Sequence, residues 1–221
     1  MGYPVKNESV ILQPPIESVA SFDYHEAIVR ALNCHWKMLD IALAQFKTRT
    51  AVFTEVAARL IETLRTGHKV LVAGNGGSAA EAQHFAAEFV GRFKRERSPY
   101  AVLSLTTDTS ILTAVSNDYG YRDVFARQVN AFGQPGDMLI AFSTSGESEN
   151  LVRAATAGRE RFMTVVAVTG NRPSRLENLA DVTVCVPVAD TAIAQELHMI
   201  VTHILCDIAE SELAADEGDR S

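Results

Sequence analysis

Beyond Gly67 the sequence alternates between two kinds of segment, and this alternation restricts the fold more than any other feature. Short, largely apolar runs stand at residues 70–73, 101–105, 138–142, 164–168 and 182–186. Segments of helical period stand between or after them at 79–92, 121–131, 149–161 and 193–213. Strands that are apolar at nearly every position, rather than at every second one, are covered on both faces, and intervening helices supply the cover. The expected class is therefore α/β, with five parallel strands in a doubly wound, flavodoxin-like sheet. In such sheets ligands bind beyond the carboxyl ends of the strands, so the loops there carry the chemistry.

Ahead of this unit two segments have apolar residues at helical spacing. One runs over 24–46 through Ile28, Ala31, Leu32, Met38, Leu39, Ile41 and Ala42; the other runs over 51–64 through Val52, Val56, Leu60 and Ile61. Their apolar stripes need cover, either from the α/β unit or from a partner subunit. Residues 1–22 contain Pro4, Pro14 and Pro15 without sustained periodicity and read as an arm. Residues 23–221 read as one domain that includes both helices.

A formal net charge of −7 argues against a general nucleic-acid binder. It does not argue against a small anion, which a local cluster of backbone N–H groups can hold inside an acidic protein. Cys34, Cys185 and Cys206 are far apart and form no CxxC pair, so they read as buried, reduced thiols. No apolar run approaches the ~18 residues needed to span a bilayer, and the N-terminal residues lack a signal-peptide pattern. The expectation is a cytoplasmic protein with no membrane partner.

Two loops stand out. The first strand runs into Gly74-Asn75-Gly76-Gly77-Ser78-Ala79 and then a helix. Glycines there let the backbone approach a ligand, and free N–H groups at the helix start favour an anion. The run also fits a relaxed dinucleotide fingerprint, for which Asp108 would be the ribose-binding acid. The third strand runs into Ser143-Thr144-Ser145-Gly146-Glu147-Ser148, four hydroxyls ahead of another helix. One serine would serve as a helix cap, whereas four suit a phosphate cradle.

On the helix after the glycine loop, His84 and Glu88 at i and i+4 share a face, a spacing suited to a metal or to acid–base work and equally to a surface hydrogen bond. The last helix offers Gln195, His198 and His203. His198 and His203 lie about 140° apart around a helix, and Gln195 and His203 about 80° apart. Geometry alone does not choose strongly between the two histidines.

With these residues in place the sequence resembles the sugar-isomerase (SIS) domain family, and within it the bacterial sedoheptulose 7-phosphate (phosphoheptose) isomerases. The likeness runs from about Lys69 to Glu212. It rests on the loop 73–79, Gln83-His84-Phe85 with Glu88, Gly91-Arg92-Phe93, Leu105-Thr106-Thr107-Asp108-Thr109-Ser110, Asn117-Asp118-Tyr119-Gly120-Tyr121, Ser143-Thr144-Ser145-Gly146, Gln195-Glu196 and His203. The resemblance implies an aldose–ketose isomerisation through an enediol, with sedoheptulose 7-phosphate and D-glycero-D-manno-heptose 7-phosphate as the two sugars. It implies Glu88 and His203 as catalytic residues, and His84, Glu88, Gln195 and His203 as ligands of Zn2+. It also implies that Asn75, Gly76, Gly77, Ser78, Glu88, Asn117, Asp118 and Gln195 meet the sugar and that Ser143, Thr144, Ser145 and Ser148 meet its phosphate. The family likeness further implies a homotetramer.

Two departures from the family pattern stand out. Ile193 and Ala194 occupy positions before Gln195 where these isomerases carry a basic residue and Ile. The turn Gly170-Asn171-Arg172-Pro173-Ser174 replaces a Gly-Gly turn and is expected at the periphery of the site. Two rival readings are a non-catalytic SIS protein of the replication-initiator-associating type and a dinucleotide-dependent oxidoreductase. The first of these lacks the Glu and the second His that stand here as Glu88 and His203. The second needs a ribose-binding acid and room for another nucleotide half.

Overall fold

A computed structural model describes residues 23–218, with side chains as far as 215; the N-terminal arm expected over 1–22 lies outside the described residues. The chain opens with helices α1 (Tyr24–Lys47) and α2 (Thr50–Arg65) and enters strand β1 (Val70–Gly74) and helix α3 (Gly77–Val90). Then come β2 (Val102–Ser104), α4 (Thr109–Tyr119), α5 (Val124–Phe132), β3 (Met138–Ser143), α6 (Glu149–Glu160), β4 (Thr164–Thr169), β5 (Val182–Cys185) and α7 (Thr191–Gly218). All strand pairs are parallel, in the order β2-β1-β3-β4-β5. This is the expected doubly wound sheet, and its order reverses between β1 and β3.

The continuous apolar runs have a direct explanation in the packing. Val70 and Val72 of β1, Ile140 and Phe142 of β3 and Val166 and Val168 of β4 enter one core, with α2, α3 and α7. Their neighbours Leu71 and Ala73, Leu139 and Ala141, and Val165 and Ala167 enter the opposite core, with α5 and α6. Alternate residues leave the sheet on opposite faces, and both faces are apolar because both are covered.

Helix α4 is absent from the sequence reading. None of its residues is fully buried; Ile111, Leu112 and Val115 form a short stripe at helical spacing, of which Leu112 and Val115 pack on the second core, and the sequence reading omits it. Asp108 starts it as N-cap, its carboxylate accepting from the Ile111 N–H at 2.9 Å. The same aspartate is thus a helix cap, which removes the acid that the dinucleotide reading needed.

Helix α1 differs from its neighbours in leaving much of its apolar stripe uncovered. Ala42 and Phe46 are buried, whereas Tyr24, Ile28, Leu32 and Trp36 are exposed, Trp36 at 73%. Helix α7 is long and apolar enough to cross a membrane, but half of its apolar stretch is buried inside the fold. It packs against α2 and α3 as a core helix. The three thiols are free, and only Cys206 is buried; Cys34 is exposed on α1, contrary to expectation. Burial and, next, the Glu88 carboxylate push the Cys206 thiol well above the ordinary range.

Candidate active site

The reversal of strand order puts the ends of β1 and β3 side by side, with Gly74 opposite Phe142. The glycine loop and the hydroxyl loop therefore leave the sheet as neighbours. Gly76, at φ +57°, caps α3 in a left-handed conformation that suits a residue without Cβ. Gly77 lies against Gln195: a Cβ there would come within 2.3 Å of Gln195 Nε2, so that amide would have to move. Gln195 on α7 thus lies directly against the glycine loop, and Ser78 is buried in the first turn of α3. Asn75 is held from two sides, by the Tyr121 hydroxyl at 2.9 Å and by paired amide bonds with Asn150 at 2.8 and 3.0 Å.

In the hydroxyl loop, Ser143 Oγ accepts the Gly146 N–H at 3.0 Å and Ser145 Oγ accepts the Glu147 N–H at 3.2 Å. Accepting leaves each O–H proton available to an anion. Ser148 is the N-cap of α6 but makes no side-chain cap bond. Helix capping therefore does not use up the hydroxyls of this loop. Thr144 is half-buried beside them and lines a cavity with Ser145.

The turn after β4 is not peripheral. Asn171, Arg172 and Pro173 line that same cavity, and the Leu176 N–H donates to the Gly146 carbonyl at 3.1 Å. Gly170 passes so close that a Cβ would meet the Thr144 carbonyl oxygen at 2.3 Å. Ile193 and Ala194, which stand in place of the family's basic residue and Ile, are buried.

Helices α3 and α7 pack together and bring three of the expected ligands into one group. His84 Nε2 lies 3.1 Å from a Glu88 carboxylate oxygen and 3.0 Å from His203 Nε2, and the donor atoms of all three lie within 4.8 Å of one another. Two imidazole nitrogens and a carboxylate oxygen match the donor set of three-ligand catalytic zinc sites. His84 and Glu88 are half-buried and His203 is exposed, so the group opens toward solvent. The structure also separates the two histidines of α7. His203 joins the cluster, whereas His198 is fully buried and faces Glu81 of α3 at 3.3 Å.

Several supporting residues were missed by sequence reasoning. The Phe93 ring stacks on His203, with centroids 5.4 Å apart and planes 20° from parallel. Glu210, one turn-pair further along α7, accepts the backbone N–H groups of Phe93, Lys94 and Arg95 at 2.7 to 2.9 Å. Buried Arg97 closes the loop from inside, donating to the carbonyls of Glu88, Phe89 and Gly91. The Gly91-Arg92-Phe93 motif marked this segment in the sequence, but its contact with His203 spans two distant helices. Asn117 and Asp118 are exposed on α4, where the Asn117 amide donates to the Asp118 carboxylate at 2.8 Å. Beside the hydroxyl loop, Arg175 first and Arg153 second hold the Glu149 carboxyl below its ordinary range.

Residues 37–170 match the family model for the SIS domain. The chain is 50% identical over 175 residues to the phosphoheptose isomerase of a Roseiflexus species, covering 79% of this chain and 89% of that one. It is 51% identical over 164 residues to that of Thiobacillus denitrificans, covering 73% and 83%. The solved phosphoheptose isomerase of Neisseria gonorrhoeae superposes with a TM-score of 0.78 at 38% identity, over 85% of this chain and 98% of that one. With this fold, these loops and this degree of identity, the chain belongs to the SIS domain family, among its phosphoheptose isomerases.

Proposed function

We propose that the protein interconverts sedoheptulose 7-phosphate and D-glycero-D-manno-heptose 7-phosphate, with Glu88 and His203 as its proton-transfer pair. The observation that supports the residue assignment is the meeting of His84, Glu88 and His203 where α3, the helix that leaves the glycine loop, packs on α7. Glu88 takes the proton from C1 of the ketose and returns it to C2, giving the aldose. His203 moves the accompanying proton between O1 and O2, so the carbonyl shifts from C2 to C1 with no net loss of protons or electrons. The pair of carbons passes through an enediol.

The phosphate binds in the loop 143–148, through the hydroxyls of Ser143, Thr144, Ser145 and Ser148 and the start of α6. Asn75, Gly76, Gly77, Ser78, Gln195, Asn117 and Asp118 hold the sugar chain between that loop and Glu88. Remote binding of this kind raises the rate by holding the reacting carbons near the base.

His84, Glu88, Gln195 and His203 are the proposed ligands of Zn2+. Such an ion polarises a substrate carbonyl and favours the enediolate. A glutamine is an unusual zinc ligand, so the affinity is modest. The protein works in the cytoplasm as a homotetramer. The uncovered stripe of α1 supports the assembly, because that face lacks cover among the described residues.

Incubation with sedoheptulose 7-phosphate, followed by NMR, is the direct test, and the aldose 7-phosphate is the expected product. No product from either sugar phosphate would reject the activity. Unphosphorylated sedoheptulose should be a very poor substrate, and inorganic phosphate should compete with the sugar phosphate.

A further inference from the structure

Three arginines surround the hydroxyl loop, and two of them are committed. Arg153 donates to Asp123 at 2.7 Å and to Glu149 at 2.9 Å. Arg175 donates to the other oxygen of Glu149 at 2.8 Å. Arg172 has no hydrogen bond or ion pair among the described residues, and it lines the cavity that Thr144 and Ser145 open onto. That cavity, of about 270 Å³, is walled by the hydroxyl loop, the turn after β4 and the start of α7 through Thr191. Arg172 is the single cationic side chain among its lining residues.

The turn that carries Arg172 is fixed to the loop it faces. Besides the Leu176–Gly146 bond, the Arg175 N–H donates to the Glu147 carboxylate at 2.9 Å; within the turn itself, the Glu177 N–H donates to Ser174 Oγ at 3.3 Å. Glu147 is also a wall of the cavity. A phosphate dianion placed on Thr144 and Ser145 therefore meets a nearby carboxylate, and hydroxyl donors alone do not cancel that charge. A guanidinium across the cavity does, and its planar fork suits phosphate oxygens.

We infer that Arg172 is the phosphate-recognising cation of this enzyme, closing over the substrate phosphate from the turn after β4 and setting its preference for phosphorylated sugars. The inference rests on the proposal that the loop 143–148 holds the phosphate. It assigns the charge complement of that loop to a turn which the sequence reading placed outside the site. Bound to the far end of the substrate, Arg172 adds to the remote binding that holds the reacting carbons near the base, so its loss raises KM and also lowers kcat for the phosphorylated sugar.

The test compares Arg172→Ala, Arg172→Lys and Ser145→Ala in steady-state assays with sedoheptulose 7-phosphate and with unphosphorylated sedoheptulose. Arg172→Ala should raise KM for the phosphate about tenfold, as expected for losing about one charge-assisted hydrogen bond, and lower kcat by a smaller factor. Arg172→Lys should recover part of the loss, and the weak rate with unphosphorylated sugar should not move. The inhibition constant of inorganic phosphate should rise in parallel. If Ser145→Ala raises KM and Arg172→Ala does not, the loop binds phosphate and the inference about Arg172 is wrong. If neither substitution raises KM, the phosphate reading of the loop fails and the inference fails with it. An equal fall for both sugars in Arg172→Ala would also overturn it, by showing that Arg172 acts on the sugar or the fold.

Discussion

His84 Nε2 and His203 Nε2 face each other at 3.0 Å across the α3–α7 contact, although 119 residues separate them in the chain. Only one proton can lie between two such nitrogens, so at least one lone pair points into the shared space. With the Glu88 carboxylate 3.1 Å from His84, that space is framed by donors suited to a divalent cation or to proton transfer. Phe93 stacked on His203 keeps the second imidazole from turning away.

Proton transfer by Glu88 and His203 gives the most direct prediction. Glu88→Gln and His203→Ala should each lower kcat by on the order of 10²–10⁴, with circular dichroism and melting temperature close to the parent's. Full turnover in either variant would remove that residue from the mechanism.

Metal binding can be followed apart from activity. Titration of the chelator-stripped protein with Zn2+, read by calorimetry, should show binding that His84→Ala weakens by at least about tenfold, as for the loss of a coordinating ligand or more. Chelator treatment should lower turnover, and added Zn2+ should restore it. An unchanged titration in His84→Ala would separate the His84–Glu88–His203 group from any metal.

Assembly has a built-in reporter. Trp36 is the single tryptophan, exposed at 73% on α1 of one chain. In a tetramer that covers α1 its emission should be shifted to the blue, and light scattering should give about four times the 24.0 kDa of the chain. Trp36→Glu should weaken the assembly. A monomeric mass with red, solvent-exposed emission would contradict the proposal.

The clamp beneath the site should fail in acid. Burial opposes the charge on Glu210, but backbone N–H donors from Lys94, Phe93 and Arg95 outweigh it and hold the carboxyl below its ordinary value of 4.5. A depressed folded pKa means that Glu210 contributes stability above pH 4.5 and loses it as pH falls through the lower folded value. Glu210→Gln should destabilise the protein by roughly 1–3 kcal/mol at pH 7, the cost of weakened charged hydrogen bonds at a buried site. The gap between the melting curves of parent and variant should narrow as pH falls below 4.5. Equal melting temperatures at pH 7 would show that the clamp contributes nothing.

Strand–helix alternation and the composition of two loops were enough, in the sequence itself, to indicate a doubly wound sheet with its chemistry beyond the ends of β1 and β3. These are local properties: an apolar run covered on both faces, a glycine where the backbone must pass close, hydroxyls ahead of a helix. Helix α4 carries only a short stripe, Ile111, Leu112 and Val115, among polar residues, and the sequence reading omits it. The choice between His198 and His203 was also beyond reach of helical spacing. Tertiary packing separates the two, burying His198 against Glu81 and placing His203 against His84. The stacking of Phe93, the grip of Glu210 on residues 93–95 and the place of Arg172 depend in the same way on contacts between distant segments. Such contacts are set by how α3, α7 and the turn after β4 pack on one sheet, and no local pattern of residues encodes them.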